Sequence, residues 1–367
     1  MNTLIKTKLD KIDELFPKER LDKSKKRWER LWNGEQQTDR MPFVFTPITF
    51  NLYNAVHTPS ERLEATLNEI ICRGFIEDDF IPSIFPGCHT GTIPSMFGAA
   101  EAVLGDDRSG EKIIFNNDDI DNLPEPSLKE GTAAHNWLVM QEYFIEQTDG
   151  RLPVHVTDMQ GPADVCGQLW GYDNFLASAY TDPDYYHKLM DKVTDAFILL
   201  WERQQKLCGD LFVGTHLFGW NWLPPNMGAS LSADSLVMIS PAFFDEFYKP
   251  YLQRISDKFG GISVHSCGDF SAVIPSLCNV RGIKAVNAGQ MSIKQLAEAG
   301  VHKDIIITAF TDMQTIKSDI EYIKQNSLKV DLSIDGLAPN ADPESWTKQD
   351  YDYMKEQVSK VAKYTAI

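Results

Sequence analysis

The residues best suited to chemistry lie in Val264-His265-Ser266-Cys267-Gly268. They close an apolar run that begins at Ile262, which reads as the end of a β-strand and the start of a loop. Residues i and i+2 of a strand point to the same side. An imidazole at 265 and a thiol at 267 therefore converge on one point, and nitrogen with sulfur is a donor pair that zinc takes. Gly268 lets the chain turn away behind them. The same pattern also arises from a core histidine beside a buried free cysteine.

Other candidates sit where apolar runs end. Asp158 follows the run Leu152–Thr157 and is read as a catalytic or substrate-binding carboxylate. His216 follows Leu211–Thr215 and is read as a general acid/base or a hydrogen-bond donor to substrate, or else as a structural histidine under its loop. Asn287 follows Ile283–Val286 and is read as a hydrogen-bonding contact to substrate. Trp220, with Phe218, Trp222 and Met227, gives the loop after Thr215 an aromatic wall that either meets a ligand or packs the loop. Cys88 and His89 are adjacent, and neighbours in sequence rarely bind one ion together, so at most one of them would contribute.

The elements that must position these groups are eight apolar runs: Phe43–Pro47, Phe80–Phe85, Leu152–Thr157, Leu211–Thr215, Ile262–His265, Ile283–Val286, Asp304–Ala309 and Val330–Ile334. Helical patterns separate them. Thr58-Pro59-Ser60-Glu61 carries an N-cap, a proline at the first helical position and a capping-box glutamate, and Asp182-Pro183, Ser240-Pro241 and Asp342-Pro343 repeat the cap-plus-proline start. This alternation predicts an α/β protein, a (β/α)8 TIM barrel. An open doubly wound sheet is the rival, but no GxGxxG follows the first run and no GxxxxGK[ST] occurs anywhere. Residues 1–38 read as an N-terminal helical extension with a stripe of Leu9, Ile12, Leu15 and Phe16, and residues 39–367 as a single barrel domain. The long connections 86–130 and 216–240 are expected on the C-terminal face, where barrels bind substrates.

The chain has 367 residues, 43% of them hydrophobic and 24% charged, which excludes a disordered or fibrous protein and a disulfide-stapled miniature. Its net charge is −17 and it has no long basic cluster, so neither nucleic acid nor an anionic membrane surface is expected as a partner. Its six cysteines are scattered, with no CxxC pair, as in a reducing compartment. The first residues lack the apolar core of a signal peptide, and no apolar run approaches the length of a membrane span. A cytoplasmic protein acting on a small molecule is expected.

HSCG at 265–268, preceded by SPAFFDEFYKPYL at 240–252 and followed by VNAG at 286–289, resembles the uroporphyrinogen decarboxylase superfamily. So do RWERLWNGEQQTDR at 27–40 with Pro42, DMQGPADVCGQLWG at 158–171 and DPDYYHKL at 182–189. Within that superfamily the pattern is most similar to the corrinoid-dependent methyltransferases of the methylcobalamin:coenzyme M type, and it spans about residues 27–363. The resemblance implies a (β/α)8 barrel in which His-x-Cys and a distant cysteine hold zinc. That zinc binds an acceptor thiol as its thiolate, which takes a methyl group from cobalt. No Asp-x-His-x-x-Gly segment is present to hold a corrinoid, so a corrinoid would arrive on a partner protein.

The sequence departs from the family twice. The porphyrin decarboxylases carry arginines after the first strand to grip carboxylates; here Thr46–Asn51 has none, and Arg40 precedes the strand. The distant cysteine at the end of the last strand is matched by Ser333-Ile334-Asp335-Gly336. Asp335 is thus expected as the third zinc ligand, a harder donor than thiolate, or else as a substrate contact or helix cap. Two further readings stand beside methyl transfer. One is a carboxy-lyase acting on a small acid, in which Asp158 and His216 do the chemistry. The other is a barrel that binds a small molecule without turning it over.

Overall fold

The structure is a computed structural model that describes residues 3–46, 58–87, 89–104, 107–215, 222–335, 337 and 345–367. Its strands are β1 (Phe43–Thr46), β2 (Glu101–Leu104), β3 (Asp107–Gly110), β4 (Val154–His155), β5 (Phe212–Val213), β6 (Ala229–Ser232), β7 (Ile262–Ser266), β8 (Ile283–Ala288), β9 (Ile306–Asp312) and β10 (Val330–Asp335). Six of them form one parallel sheet in the order β1-β10-β9-β8-β7-β6, and β4 pairs with β5, also in parallel. Single contacts carry the circuit round. Ser232 N donates to Met159 O at 2.9 Å, joining β6 to the stretch after β4. Ile84 bridges Val154, and Asp79 N donates to Phe43 O at 3.0 Å, returning the ring to β1. The result is the (β/α)8 barrel the alternation predicts, with helices such as Pro59–Gly74, Ala133–Thr148 and Pro183–Cys208 outside it. The capping box at Thr58 and Glu61 is present. Among the described residues no helix is long and apolar enough to cross a membrane.

The structure differs from the sequence reading at two strands. The stretch 216–240, read as one loop, contains β6, which pairs with β7 along Ala229–Ser232. Its Ala-Ser-Leu-Ser sequence hides it from a search for apolar runs. The reason lies in the barrel interior. Thr215, Ser230, Ser263, Thr308 and Asp331 line an internal cavity of about 20 Å³ together with Trp32 and Leu223, so this lumen is polar where barrels are usually filled by branched apolar side chains.

Conversely, the apolar run Phe80–Phe85 makes no ladder, and its backbone bridges β4 only at Ile84. Pro82 and Pro86 have no N–H to donate. Carboxylates take up the neighbouring backbone donors instead: Asp78 accepts from Phe45 N at 2.8 Å and Phe80 N at 3.0 Å, and Asp79 accepts from Phe43 N at 3.1 Å.

Asp79 also anchors the N-terminal extension, which forms two helices, Thr3–Leu15 and Lys18–Trp32. Leu9, Ile12 and Phe16 are buried, and Leu15 is half-buried. From the second helix, Ser24 Oγ donates to the Asp79 carboxylate at 3.0 Å and Arg27 at 2.8 Å. Arg40 pairs with the same group, and Trp28 Nε1 donates to the Asp79 carbonyl at 2.8 Å. Asp79 is fully buried, so removing it takes the carboxylate partner from Arg40 and leaves Arg27 with Asp39 alone. Asp79→Ala should lower unfolding stability by about 3–5 kcal/mol, measured by urea denaturation.

Burial pushes the neighbouring Asp78 carboxyl up to about 6, above its ordinary 3.8, against the opposing pull of Arg20. A raised folded-state value means that folding takes up a proton between about pH 6 and 4, so this group's contribution rises as the pH falls through that window. Asp78→Asn cannot take up the proton. Between pH 7 and pH 4 the native chain should therefore gain up to about 3 kcal/mol relative to that variant, read from paired denaturation curves.

Candidate metal centre

His265 lies on β7 two residues beyond Ser263, which lines the lumen, so alternation turns its ring inward near the C-terminal mouth. The ring is buried, while Cys267 just past the strand is exposed. His265 Nε2 stands 3.4 Å from Cys267 Sγ. The other ring nitrogen, Nδ1, is hydrogen-bonded to Asn287 Oδ1. Asn287 Nδ2 donates to the Thr308 carbonyl at 2.7 Å. A carbonyl only accepts, so the amide must turn its NH2 to Thr308 and its oxygen to the ring. In the neutral ring Nδ1 then carries the proton and the Nε2 lone pair lies on the Cys267 side, the tautomer a metal ligand requires.

A third donor joins them. Asp234 opens a short 3-10 turn, Asp234–Met238, directly after β6. Its Oδ1 accepts from Cys267 N at 2.6 Å and lies 3.8 Å from His265 Nε2. One ligand atom each from Asp234, His265 and Cys267 all lie within 4.8 Å of one another. Zinc bonds of about 2.0–2.1 Å to nitrogen and 2.3 Å to sulfur at a tetrahedral angle put the two donors about 3.6 Å apart. The 3.4 Å observed between His265 and Cys267 fits that separation.

Behind the turn, Ser235 N and Oγ donate to the buried Asp164 carboxylate at 2.7 and 3.2 Å, fixing where Asp234 stands. Gly268 has φ of +73°, and a side chain there would meet Val237 at 2.9 Å, so glycine is needed for the turn away from the site. Burial, then Asp234, pushes the Cys267 thiol up to about 11. A bound cation reverses that preference, because a coordinated thiol is held as thiolate.

The uroporphyrinogen decarboxylase (URO-D) family profile matches residues 107–213. The match covers less than a third of the chain, so over that stretch the chain is similar to this family. A methyltransferase from Methanosarcina mazei has the same fold, with a TM-score of 0.62 and 14% identity over 92% of this chain and 98% of that one. No curated protein matches the sequence.

On this barrel, the residues proposed from sequence separate into groups. His265 and Cys267 converge. Asp335 does not join them: it lies exposed at the end of β10, in register with Thr46 and Asp312, and its carboxylate accepts from Thr46 Oγ1 at 2.6 Å. Asn287 is buried, and both ends of its amide are engaged by His265 and Thr308, so it supports the ring rather than facing substrate. Asp158 is buried, with the Gln160 amide 3.1 Å from both carboxylate oxygens. His216, Trp220 and Cys88 lie outside the described residues.

Sequence reading missed Asp234. Its signal was the Ser230/Ser232 alternation ahead of it, which marks a strand only once the lumen is known to be polar.

Asn287→Ala frees the His265 ring to turn and to change tautomer. It should weaken zinc binding by about 10–100-fold, measured by competition with a chromogenic chelator.

Proposed function

We propose that the chain is a zinc-dependent methyltransferase of the corrinoid-linked type. It moves a methyl group between a corrinoid carried by a partner protein and a small thiol-like or methoxy substrate. The observation that carries this reading is His265 Nε2 held 3.4 Å from Cys267 Sγ at the mouth of the barrel. The family-profile match over residues 107–213 and the likeness of fold to a methyltransferase support it. When bound, zinc would supply a Lewis acid that favours the anionic form of a substrate sulfur or oxygen at neutral pH.

The chain's own residues do the rest. His265 and Cys267 donate nitrogen and sulfur. Asn287 holds the ring in the liganding tautomer. The barrel wall keeps His265 out of bulk water, and Asp158 offers a buried carboxylate at the end of β4 for orienting substrate or moving a proton. The corrinoid belongs to the partner, since the sequence has no Asp-x-His-x-x-Gly segment to bind it.

Five of the stretches that follow strands offer a polycarboxylate substrate no cation. Residues 156–161, 233–240, 267–273, 289–292 and 313–315 contain no lysine or arginine, and the long connection 86–130 carries three, Arg108, Lys112 and Lys129; gripping several carboxylates takes such cations.

The test is methyl transfer from a methylated corrinoid to a panel of small thiols, and in reverse from methoxy compounds, by zinc-loaded protein. His265→Ala and Cys267→Ala should each lower the rate about 100-fold or more. Full activity in zinc-stripped protein, or carbon dioxide release from a small acid without methyl transfer, would overturn the proposal.

A further inference from the structure

We infer that Asp234 is the third protein ligand of the metal centre, in the role expected of Asp335 at the end of the last strand. The inference rests on reading His265 and Cys267 as a metal pair, and it holds whatever reaction the metal serves.

The first argument is register. β6 pairs in parallel with β7 so that Ser232 stands opposite His265, and Ala233 N donates to the His265 carbonyl at 2.7 Å. Continuing two residues along each chain sets Asp234 beside Cys267. Alternation keeps those two on the face that His265 occupies. The fold therefore delivers three donors from two adjacent strand ends, with no long loop needed to bring one of them in. Asp335 is placed differently. β8 and β9 separate β10 from β7, and among the described residues the donors that close on one another are those of Asp234, His265 and Cys267, without Asp335.

The second argument is orientation. Cys267 N holds Asp234 Oδ1 at 2.6 Å, so the carboxylate is fixed at the site by a backbone donor that no side-chain substitution removes. A carboxylate has lone pairs beyond the one this bond uses. Accepting from Cys267 N is therefore compatible with donating to a metal, as outer hydrogen bonds to liganding carboxylates ordinarily are. His265 is oriented in the same way by Asn287, so two of the three donors have a dedicated supporting partner.

The third argument is the donor set. One imidazole, one thiolate and one carboxylate give a three-ligand site, the number that leaves zinc an open position for substrate. Exchanging a second thiolate for carboxylate makes the centre harder, which favours oxygen-bearing substrates over purely thiol ones.

The test uses the full chain stripped of metal and titrated with Zn2+ and with Co2+. Asp234→Ala should weaken binding by at least about 100-fold, the top of the range for losing a mere outer partner. Asp234→Asn, which keeps an acceptor for Cys267 N, should weaken it comparably while leaving the far-ultraviolet circular dichroism unchanged. Asp234→Cys should restore tight binding and add a second thiolate-to-cobalt charge-transfer contribution. Asp335→Ala should leave affinity within about 3-fold of the native chain, well inside the range for an outer partner. The inference is overturned if Asp234→Ala binds as the native chain does, if Asp335→Ala costs as much as Asp234→Ala, or if the native chain binds neither ion more tightly than Cys267→Ala. Metal binding through Asp234 without methyl transfer would sink the proposed reaction and leave this ligand set standing.

Discussion

The hydrogen bond between His265 and Asn287 is the contact on which the mouth of this barrel depends. An imidazole can offer a metal either nitrogen, or neither when it is protonated on both. Here the choice is made two strands away. The Thr308 carbonyl on β9 admits only a donor, so the Asn287 amide on β8 has one orientation, and His265 on β7 has one tautomer. Three adjacent parallel strands thus act as a short relay of donors and acceptors. Their register is set by backbone ladders and not by the site itself, and this gives the ring its rigidity without a bound metal.

The polar lumen follows from the same economy. Serines, threonines and an aspartate occupy positions that branched apolar residues fill in most barrels. Apolar packing is shifted outward to the strand–helix layer and downward to the N-terminal helices, whose Trp28 and Leu31 are buried. Asp78 and Asp79 join the two regions. They take up backbone donors where Pro82 and Pro86 break the second strand's pairing, and Asp79 holds the extension's arginines against the start of β1. Losing a ladder and gaining a buried ionic hub are one structural decision.

The donor set gives the barrel scaffold a particular chemical character. A histidine and a cysteine two residues apart at a strand end can recruit their third partner from whichever neighbouring strand end carries a suitable donor. In this chain the nearest is an aspartate one strand away. The three donors therefore stand against one wall of the mouth, while Asp335, at the end of β10, stands with Thr46 across it.

Period and spacing were enough for much of this. Alternating apolar runs and helix starts point to a parallel α/β fold, because a parallel sheet needs helical crossovers, and eight such runs match a (β/α)8 barrel. The i, i+2 spacing of His265 and Cys267 requires convergence, because strand side chains alternate. Both are local rules that a linear sequence carries in full. What it could not carry is the identity of strands whose inner face is polar. β6 reads as loop because Ser230 and Ser232 face a lumen that exists only after closure, and with β6 unseen Asp234 had no address. Asp335 and Asn287 were placed at the right strand ends, but their partners are set by register across β7–β10, and register comes from ladder hydrogen bonds between residues far apart in the chain. Tertiary structure alone decided which aspartate stands beside the thiol and that Asn287 serves the histidine, because both depend on distances between strands and not along one.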